Sequence, residues 1–560
     1  MKVVIVGGVA GGASAAARLR RLDEKAEIVM LERGPHISFA NCGLPYFIGG
    51  EIKKESALTL QTPESFHKRF NVDVRVKSEV MAVDTAKKTV SVRDLATGET
   101  YEESYDRLLL SPGAEPVVSP IAGLPCSRVF TLRNIPDTLR IKAYVDEEFP
   151  DSAVVIGGGY IGLEMAENLH KAGLAVTVVE MADHVIAPLD RDMAADVHRY
   201  LREQGLDLRL GNGVAAVEEE GDRLHLTLQH GEVTADMAIL AVGVRPDTAL
   251  ARAAGLSLNA RGAILVDEHM RTSAPDVYAV GDAVAVTDRV TGQETYIPLA
   301  GPANRQGRIA ADNLAGRPSA YRGTQGSSVL KLFDMTVAMT GVNERTAQAA
   351  GLAYDKVFTY SASHASYYPG AHNISIKTLF DPDSGRILGA QLVGFEGVDK
   401  RCDVLATAIH AGLTGQDLTE LELCYAPPFS SAKDPVNMAG YVIENTRSGL
   451  VRNFHWHDVA DLPRDGSVTL LDVRTPSERA AGHIEGFQHI PLDELRQRWQ
   501  ELDPAKPVYV HCHSGLRSYI ACRMLAGYGF TPYNLSGGYR LYQSVVADAA
   551  VADHGCYDPA

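Results

Sequence analysis

Two segments of the chain share one rhythm of apolar and polar positions. "KVVIV" and "SAVVI" are unbroken runs of β-branched and small apolar residues, as expected of parallel strands covered on both faces. Each run breaks at a glycine-rich turn, continues into a helix-like alternation ("ASAAARLRRL" and "LEMAENLHKAG") and ends in a second apolar strand closed by an acid, "EIVMLER" and "AVTVVEM". Both segments therefore predict a strand, turn, helix and strand with parallel pairing. Further strand-and-turn signals stand at 105 to 116, "YDRLLLSPGAEP", and at 276 to 284, "DVYAVGDAV". From about 326 to 445 the pattern shifts to longer strands, "ISIKTLF" and "ILGAQLVG", with a helical "DKRCDVLATAIHAG". After the mixed basic and aromatic "NTRSGLVRNFHW" a new unit begins, with a buried strand, a loop and a helix in "VYVHCHSGLRSYIACRMLAGYGF".

Composition narrows what these elements can belong to. A chain of 560 residues exceeds one ordinary core, and about 100 to 200 residues per domain predicts three or four domains. Hydrophobic residues at 45% and charged residues at 22% are the balance of a soluble globular protein. The net charge of -16 argues against a general nucleic-acid grip. "MKVVIVGG" enters a strand directly, without a signal-peptide pattern, and no long apolar run suggests a membrane span; the scattered cysteines make a reducing cytoplasm the expected home. The seven cysteines are odd in number and scattered, which predicts neither a disulfide framework nor a metal site.

The glycine turns carry the first chemistry. The second copy has Gly157, Gly159 and Gly162 in full G-x-G-x-x-G spacing, with Glu180 at the end of the following strand. In the first copy Gly7 and Gly12 flank Val9, where the middle glycine is expected, while Gly8 and Gly11 add freedom nearby and Glu32 closes the strand. Such turns present backbone N–H groups at a helix N-terminus, where a pyrophosphate can sit. One glycine turn equally serves plain strand-to-helix packing; two in one chain favour two dinucleotides. A carboxylate at Glu180 accepts from a ribose 2′-hydroxyl and repels a 2′-phosphate, which selects NADH, with NADPH left open to a cation from elsewhere in the fold. In the segment at 276 to 284, Gly281 allows close approach and Asp282 can bond a polyol or pyrophosphate-side group.

Together these features resemble the two-dinucleotide flavoprotein disulfide reductases over residues 1 to about 445. The resemblance implies an α/β fold with two Rossmann-like dinucleotide-binding domains, for FAD and NAD, the second inserted into the first, followed by an α+β dimerisation domain and hence a homodimer. The implied limits are 1–115 and 245–325 for FAD, 116–244 for NAD(P)H and 326–445 for dimerisation. FAD falls to Gly7, Gly8, Gly11, Gly12, Glu32 and Asp282, and NAD to Gly157, Gly159, Gly162 and Glu180. Tyr160 resembles the residue that covers the flavin until nicotinamide displaces it, and reads equally as core packing.

"SFANCGLPYFIGG" contains the first notable thiol, Cys42. Disulfide-reducing relatives pair two thiols as C-x4-C, but here the residue five beyond Cys42 is Phe47. Cys42 must pair with a thiol brought to it or be oxidised to a sulfenic acid, unless it is an inert buried cysteine. The segment resembles the single-cysteine branch that contains coenzyme A disulfide reductase, NADH oxidase and NADH peroxidase. Within it, "SFAN" and "YAPPFSSAKDPVNMAG" point to the coenzyme A enzymes, whose cysteine forms a mixed disulfide with CoA. Ser38 and Asn41 resemble that family's CoA contacts. CoA phosphates call for cations, and Arg18, Arg20 and Arg21 lie on the first helix, where they also read as a solvated face; Arg18 and Arg21 are the candidates. Gln61 and Thr62 in "LTLQTPESF" are further candidates. Tyr367 and Tyr425 match the tyrosine pair that reaches the cysteine from the opposite subunit. A phenol there can protonate a leaving thiolate; aromatic packing at the dimer seam is the other reading.

A second thiol lies in the last segment. Asp472-Val473-Arg474, Glu478, Gly482-His483-Ile484, Pro491 and the C-x4-R loop from Cys512 to Arg517 resemble a single α/β rhodanese domain, expected over 457–560 after a linker at 446–456. Loop N–H groups, the following helix and Arg517 should stabilise a Cys512 thiolate or persulfide. Cys522 falls within that helix and reads as core, and Cys126, Cys402, Cys424 and Cys556 carry no motif, although Cys424 adjoins Tyr425.

The whole chain thus resembles the fusion of coenzyme A disulfide reductase with rhodanese. The resemblance implies NADH-dependent reduction of CoA disulfides, CoA persulfide, polysulfides or other thiol persulfides, with FAD, NADH and coenzyme A as cofactors. Two other readings stand beside it: an NADH oxidase or peroxidase cycling Cys42 through a sulfenic acid, and a sulfurtransferase or sulfur carrier.

Overall fold

The computed structural model describes residues 1–118 and 120–554. Cys556 lies outside the described residues. The chain divides into two compact units, one made of Met1–Met181 with Asn212–Gly326 and the other of Ala182–Gly211 with the chain from Ser327 on.

The first unit is built on two parallel sheets. Strand Lys2–Val6 lies between Glu27–Leu31 and Arg107–Leu110, and the outer strands Asp73–Arg75 and Val277–Ala279 complete the first sheet, all parallel. Val3, Val4 and Ile5 are wholly buried, as the unbroken apolar run requires. Helix Ala10–Leu22 lies against helix Ala300–Leu314 at very close range, because a Cβ on Gly307 would come within 2.4 Å of the Gly11 carbonyl oxygen. In the second sheet, Ser152–Ile156 lies between Ala175–Val179 and Met237–Leu240, with Val129–Phe130 beyond the latter.

The second unit joins an antiparallel sheet to a parallel one. The antiparallel sheet runs in the order Ser328–Leu332, Met335–Gly341, Ile387–Gly394, Asn373–Phe380 and Asp355–Ala362. The parallel sheet runs Asn453–Phe454, Thr531–Leu535, Pro507–His511, Thr469–Asp472 and Gln488–His489. Leu471, Val508 and Val510 enter one core and Leu470, Phe454 and Leu535 another, so both faces of that sheet are covered. Much of the expected linker has regular structure. Helix Pro435–Arg447 runs into its start, Asn453–Phe454 is an edge strand, and Trp456 opens a short helix, Trp456–Asp461.

Buried charge anchors the pieces of this unit to each other. Lys377 is wholly buried, with Nζ 2.8 Å from Asp192 and 2.9 Å from Asp190, and it also contacts Glu344. Trp456 Nε1 donates to Asp192 at 3.3 Å, bringing the edge of the parallel sheet into the cluster. The three carboxylates are spaced for a cation, and the lysine ammonium fills that role. Removing one member of such a buried set costs about 3 to 5 kcal/mol. Helix Gly538–His554 is held against helix Arg191–Glu203 by Asp548, which lies 2.8 Å from both His198 Nδ1 and Arg202. Val185 N–H donates to His198 Nε2, so Nδ1 carries the proton that Asp548 accepts.

Candidate functional site

The two glycine turns use the same backbone device. Gly7 has φ 97° and Gly157 φ 112°, and a Cβ at either would collide with a neighbouring strand's carbonyl, Ser111 O at 2.0 Å or Ala241 O at 2.4 Å. Beyond each turn a helix begins with no acidic side chain in its first turn, as an anionic ligand needs. Glu32 accepts from Gly8 N at 2.8 Å and from Gly34 N at 2.7 Å, and Glu180 accepts from Gly158 N at 2.6 Å. Each strand-ending acid is thus fixed beside its own turn. A Cβ on Gly159 would meet nothing within 4 Å, leaving open space over the second turn. Val9 stands at the equivalent point of the first turn as the helix N-cap.

Cys42 sits in the short turn Asn41–Gly43, just before helix Leu44–Ile48. Ser38, four residues earlier, is in the left-handed region with φ 43°, and its N–H donates to Gly8 O, tying this loop to the first glycine turn. Cys42 is exposed and free. Enough protein nevertheless surrounds the sulfur that burial pushes its pKa up, and the charges of Glu164 and Asp282 add to the effect. Glu164 lies on helix Tyr160–Lys171, where Tyr46 donates to it at 3.3 Å. Burial raises the Glu164 carboxyl to about 7, with the Tyr46 hydrogen bond opposing and the Glu167 charge adding. Asp282 is likewise pushed up by burial, against the pull of Arg133.

Cys512 has the opposite setting. It is wholly buried, and its Sγ accepts from Gly515 N at 3.1 Å and from Ser518 Oγ at 3.2 Å. Arg517 forms a two-pronged pair with Glu478, at 2.8 Å and 2.6 Å, which holds the Glu478 carboxyl down at about 2. Beneath the loop, Arg474 and Asp472 form a buried pair, and burial lowers His511 to about 4, leaving it neutral. Cys522 is also buried, which pushes its thiol pKa up, in keeping with a core role.

Comparison with known proteins places this geometry. The pyridine nucleotide-disulphide oxidoreductase family matches residues 1–307, its dimerisation domain matches 327–435, and a rhodanese-like domain matches 455–544. The chain belongs to the pyridine nucleotide-disulphide oxidoreductases. It is 36% identical over 443 residues to coenzyme A disulfide reductase from Staphylococcus haemolyticus, covering 79% of this chain and 98% of that one. The structure of reduced Bacillus anthracis CoADR-RHD is 52% identical, with a TM-score of 0.96 and 98% of each chain covered. A NAD-dependent persulfide reductase from A. fulgidus is 38% identical, with a TM-score of 0.90, covering 97% of this chain and 100% of that one. A water-forming NADH oxidase from Lactobacillus brevis is 31% identical, with a TM-score of 0.77, covering 80% of this chain and 99% of that one.

Members of this family use FAD and NAD(P)H. The positive-φ glycines, the acid-free helix starts and the fixed acids Glu32 and Glu180 fit two dinucleotides. Several other candidate residues of the oxidoreductase have partners within the chain. Arg18 pairs with Asp312 at 2.8 Å, and Arg20 is buried, bonding the backbone carbonyls of Phe70, Ala26 and Asn71. Arg21 is exposed and half-buried Tyr160 opens the helix beyond Gly159. Thr62 caps helix Pro63–Phe70 by accepting from Ser65 N, and Gln61 accepts from the Ser65 hydroxyl. Tyr367 and Tyr425 are exposed and lie 2.8 Å apart, hydroxyl to hydroxyl. A cavity of about 590 Å³ adjoins Tyr425 and includes Cys424, His364 and Lys400 in its wall. Sequence reasoning did not single out Glu164, Tyr46 or Ser518. Glu164 offered one signal, an acid among the apolar residues Leu163, Met165 and Ala166 of a buried helix.

Proposed function

We propose that this chain is a flavin-dependent NADH persulfide and CoA-disulfide reductase in which Cys42 is paired with CoA, and in which Cys512 handles sulfane sulfur. The observation that carries this reading is an exposed, free Cys42 in a chain whose match to a persulfide reductase extends through the rhodanese-like domain. FAD is assigned to residues 1–115 and 245–325, held by the Gly7 to Gly12 turn, Glu32 and Asp282. NADH is assigned to 116–244, held by the Gly157 to Gly162 turn and Glu180, with Tyr160 at its entrance. Bound flavin supplies two-electron transfer from NADH to a sulfur–sulfur bond.

The cysteine's own steps balance without further reactants. Cys42 thiolate attacks the inner sulfur of CoA persulfide, the S–S bond breaks, hydrosulfide leaves and Cys42 is joined to CoA; with CoA disulfide the leaving group is CoA thiolate. Two electrons and one proton then restore the Cys42 thiolate and release the CoA thiol. Ser38 and Asn41 orient the CoA arm, with Arg18, Arg21, Gln61 and Thr62 as candidates for its remaining polar groups. Tyr367 and Tyr425 serve the cysteine of the opposite subunit of a homodimer by protonating the departing sulfur, a role supported by the exposure of both residues and the pairing of their hydroxyls. Residues 326–445 supply the dimerisation domain, 446–456 the connection and 457–560 the rhodanese domain. We place the enzyme in the cytoplasm; no helix among the described residues is long and apolar enough to cross a membrane.

The oxidase reading draws on the Lactobacillus brevis relative, whose match covers 80% of this chain. Mass measurement of denatured, unreduced protein separates the two. A CoA-sized adduct on Cys42 is expected, and a single added oxygen with no CoA adduct would put the oxidase in its place.

A further inference from the structure

The charges around the rhodanese-type loop carry an inference about which sulfur donors it accepts. Arg517 is the loop's own cation, yet both ends of its guanidinium are bound by the two oxygens of Glu478. Glu478 is itself fixed, since Thr475 N–H and the Thr475 hydroxyl both donate to it, at 2.9 Å and 3.0 Å. The other cations near the loop lie on carboxylates of their own surroundings rather than on the sulfur. Arg474 and Arg479 share Asp472, at 2.8 Å and 3.4 Å, and Arg540 lies over the Tyr360 ring and 3.9 Å from Asp196. The two histidines bring no charge, because burial lowers the pKa of both His511 and His513. What faces the sulfur directly is therefore neutral dipoles, Gly515 N–H and Ser518 O–H, while the loop's own cation is held by Glu478.

We infer that Glu478 is a specificity-determining residue that turns the Cys512 loop away from dianionic sulfur donors and towards persulfides. This rests on the reading of Cys512 as the sulfane-sulfur carrier. With thiosulfate, Cys512 thiolate takes the outer sulfur, the S–S bond breaks, and sulfite leaves as a dianion. Two negative charges then enter a pocket whose one loop cation is already neutralised. With a thiol persulfide, Cys512 thiolate takes the outer sulfur and a single thiolate leaves. The incoming sulfur needs only the N–H and O–H dipoles already aimed at it. Glu478 stays ionised throughout the neutral range, so the preference is fixed rather than pH-switched.

The test uses the full-length holoenzyme in a Cys42→Ser background, with cyanide as sulfur acceptor and no NADH, so that it reads Cys512 independently of the reductase reaction. Cyanide takes the outer sulfur of the Cys512 persulfide as thiocyanate and restores the thiolate. Glu478→Gln removes the charge while keeping a side chain that can complete the same helix cap. The expected result is a rise of about tenfold in kcat/KM for thiosulfate, with the singly charged 2-mercaptoethanol persulfide changing less than about threefold. Adding Arg517→Gln to Glu478→Gln should cancel the thiosulfate gain, since the freed cation is its source. An unchanged ratio between the two donors, or a parallel fall for both, overturns the inference and leaves Glu478 a positioning residue for the loop. Failure of all transfer to cyanide in the Cys42→Ser parent, before any change at Glu478, would instead overturn the carrier reading.

Discussion

Cys42 and Cys512 solve opposite problems with the same atom. Cys42 is exposed in a short turn, and the groups that act on it, burial first and then Glu164 and Asp282, all disfavour its thiolate. Cys512 is wholly buried and receives two hydrogen bonds directly on sulfur. An exposed thiol that the surrounding protein does not activate depends on what binds beside it, which suits a site that works only when cofactor and substrate are both present. A buried thiol with its donors in place is preorganised to hold a charged sulfur at any time. One site is conditional and the other standing, and each can be broken without the other.

The sharpest break is reciprocal. Cys42→Ser should lower NADH-dependent reduction of CoA disulfide and CoA persulfide by about 10³-fold or more, while sulfur transfer from persulfide to cyanide stays within about twofold. Cys512→Ser should do the reverse, and steady-state assays of both reactions on both variants check it. Next in size is the tyrosine pair. Tyr425→Phe should reduce kcat for CoA disulfide by about 10²-fold and leave Cys512 chemistry alone; an equal loss in both reactions would mean that the tyrosine matters for packing. A smaller effect is expected at Ser518. Its hydroxyl lies 3.2 Å from the Cys512 sulfur, and Ser518→Ala should cost about tenfold in transfer to cyanide, with NADH oxidation unchanged.

The smallest effect tests the conditional site through pH. Glu164 titrates near 7 and its charge raises the Cys42 pKa. Glu164→Gln should therefore lower that pKa, seen as faster alkylation of reduced Cys42 at pH 8 and little change at pH 5, where the native carboxyl is already protonated. The stability sign follows from the same shift. Between the ordinary carboxylate value of 4.5 and about 7 the folded chain holds a proton that the unfolded chain releases, so the native glutamate loses stability as pH rises through that window. The melting temperature of Glu164→Gln relative to the native protein should increase from pH 4 to pH 8. A constant difference would place the carboxyl pKa outside the window.

What the sequence made legible was local. The glycine turns and the acids Glu32 and Glu180 sit within one strand–turn–helix–strand unit, where spacing alone fixes their relation, and the Cys512 loop is a single short word. What it hid was carried by distant pairs. Arg18, a candidate for a phosphate, has Asp312 as a partner 294 positions away, and Arg517, a candidate beside a persulfide, has Glu478 as a partner 39 positions away. Thr62 also caps its own helix through Ser65, three residues on, a pairing that spacing alone could have shown. For the two arginines the residue type was legible, but the partner is brought near only by the fold. Glu164 was hidden differently, because the glycine fingerprint around it explained the segment too well.

Asp548 has a consequence for the order in which the protein is made. Its carboxylate meets His198 across 350 residues of chain and Arg202 across 346. During synthesis, helix Arg191–Glu203 leaves the ribosome long before its counterpart exists, and at about 5 to 20 residues per second the wait is on the order of tens of seconds. Throughout it, His198 and Arg202 lack the carboxylate that holds them in the finished fold, and water takes its place. The second unit therefore closes late, and ribosomes stalled just before Asp548 should carry a chain with that helix still open to protease.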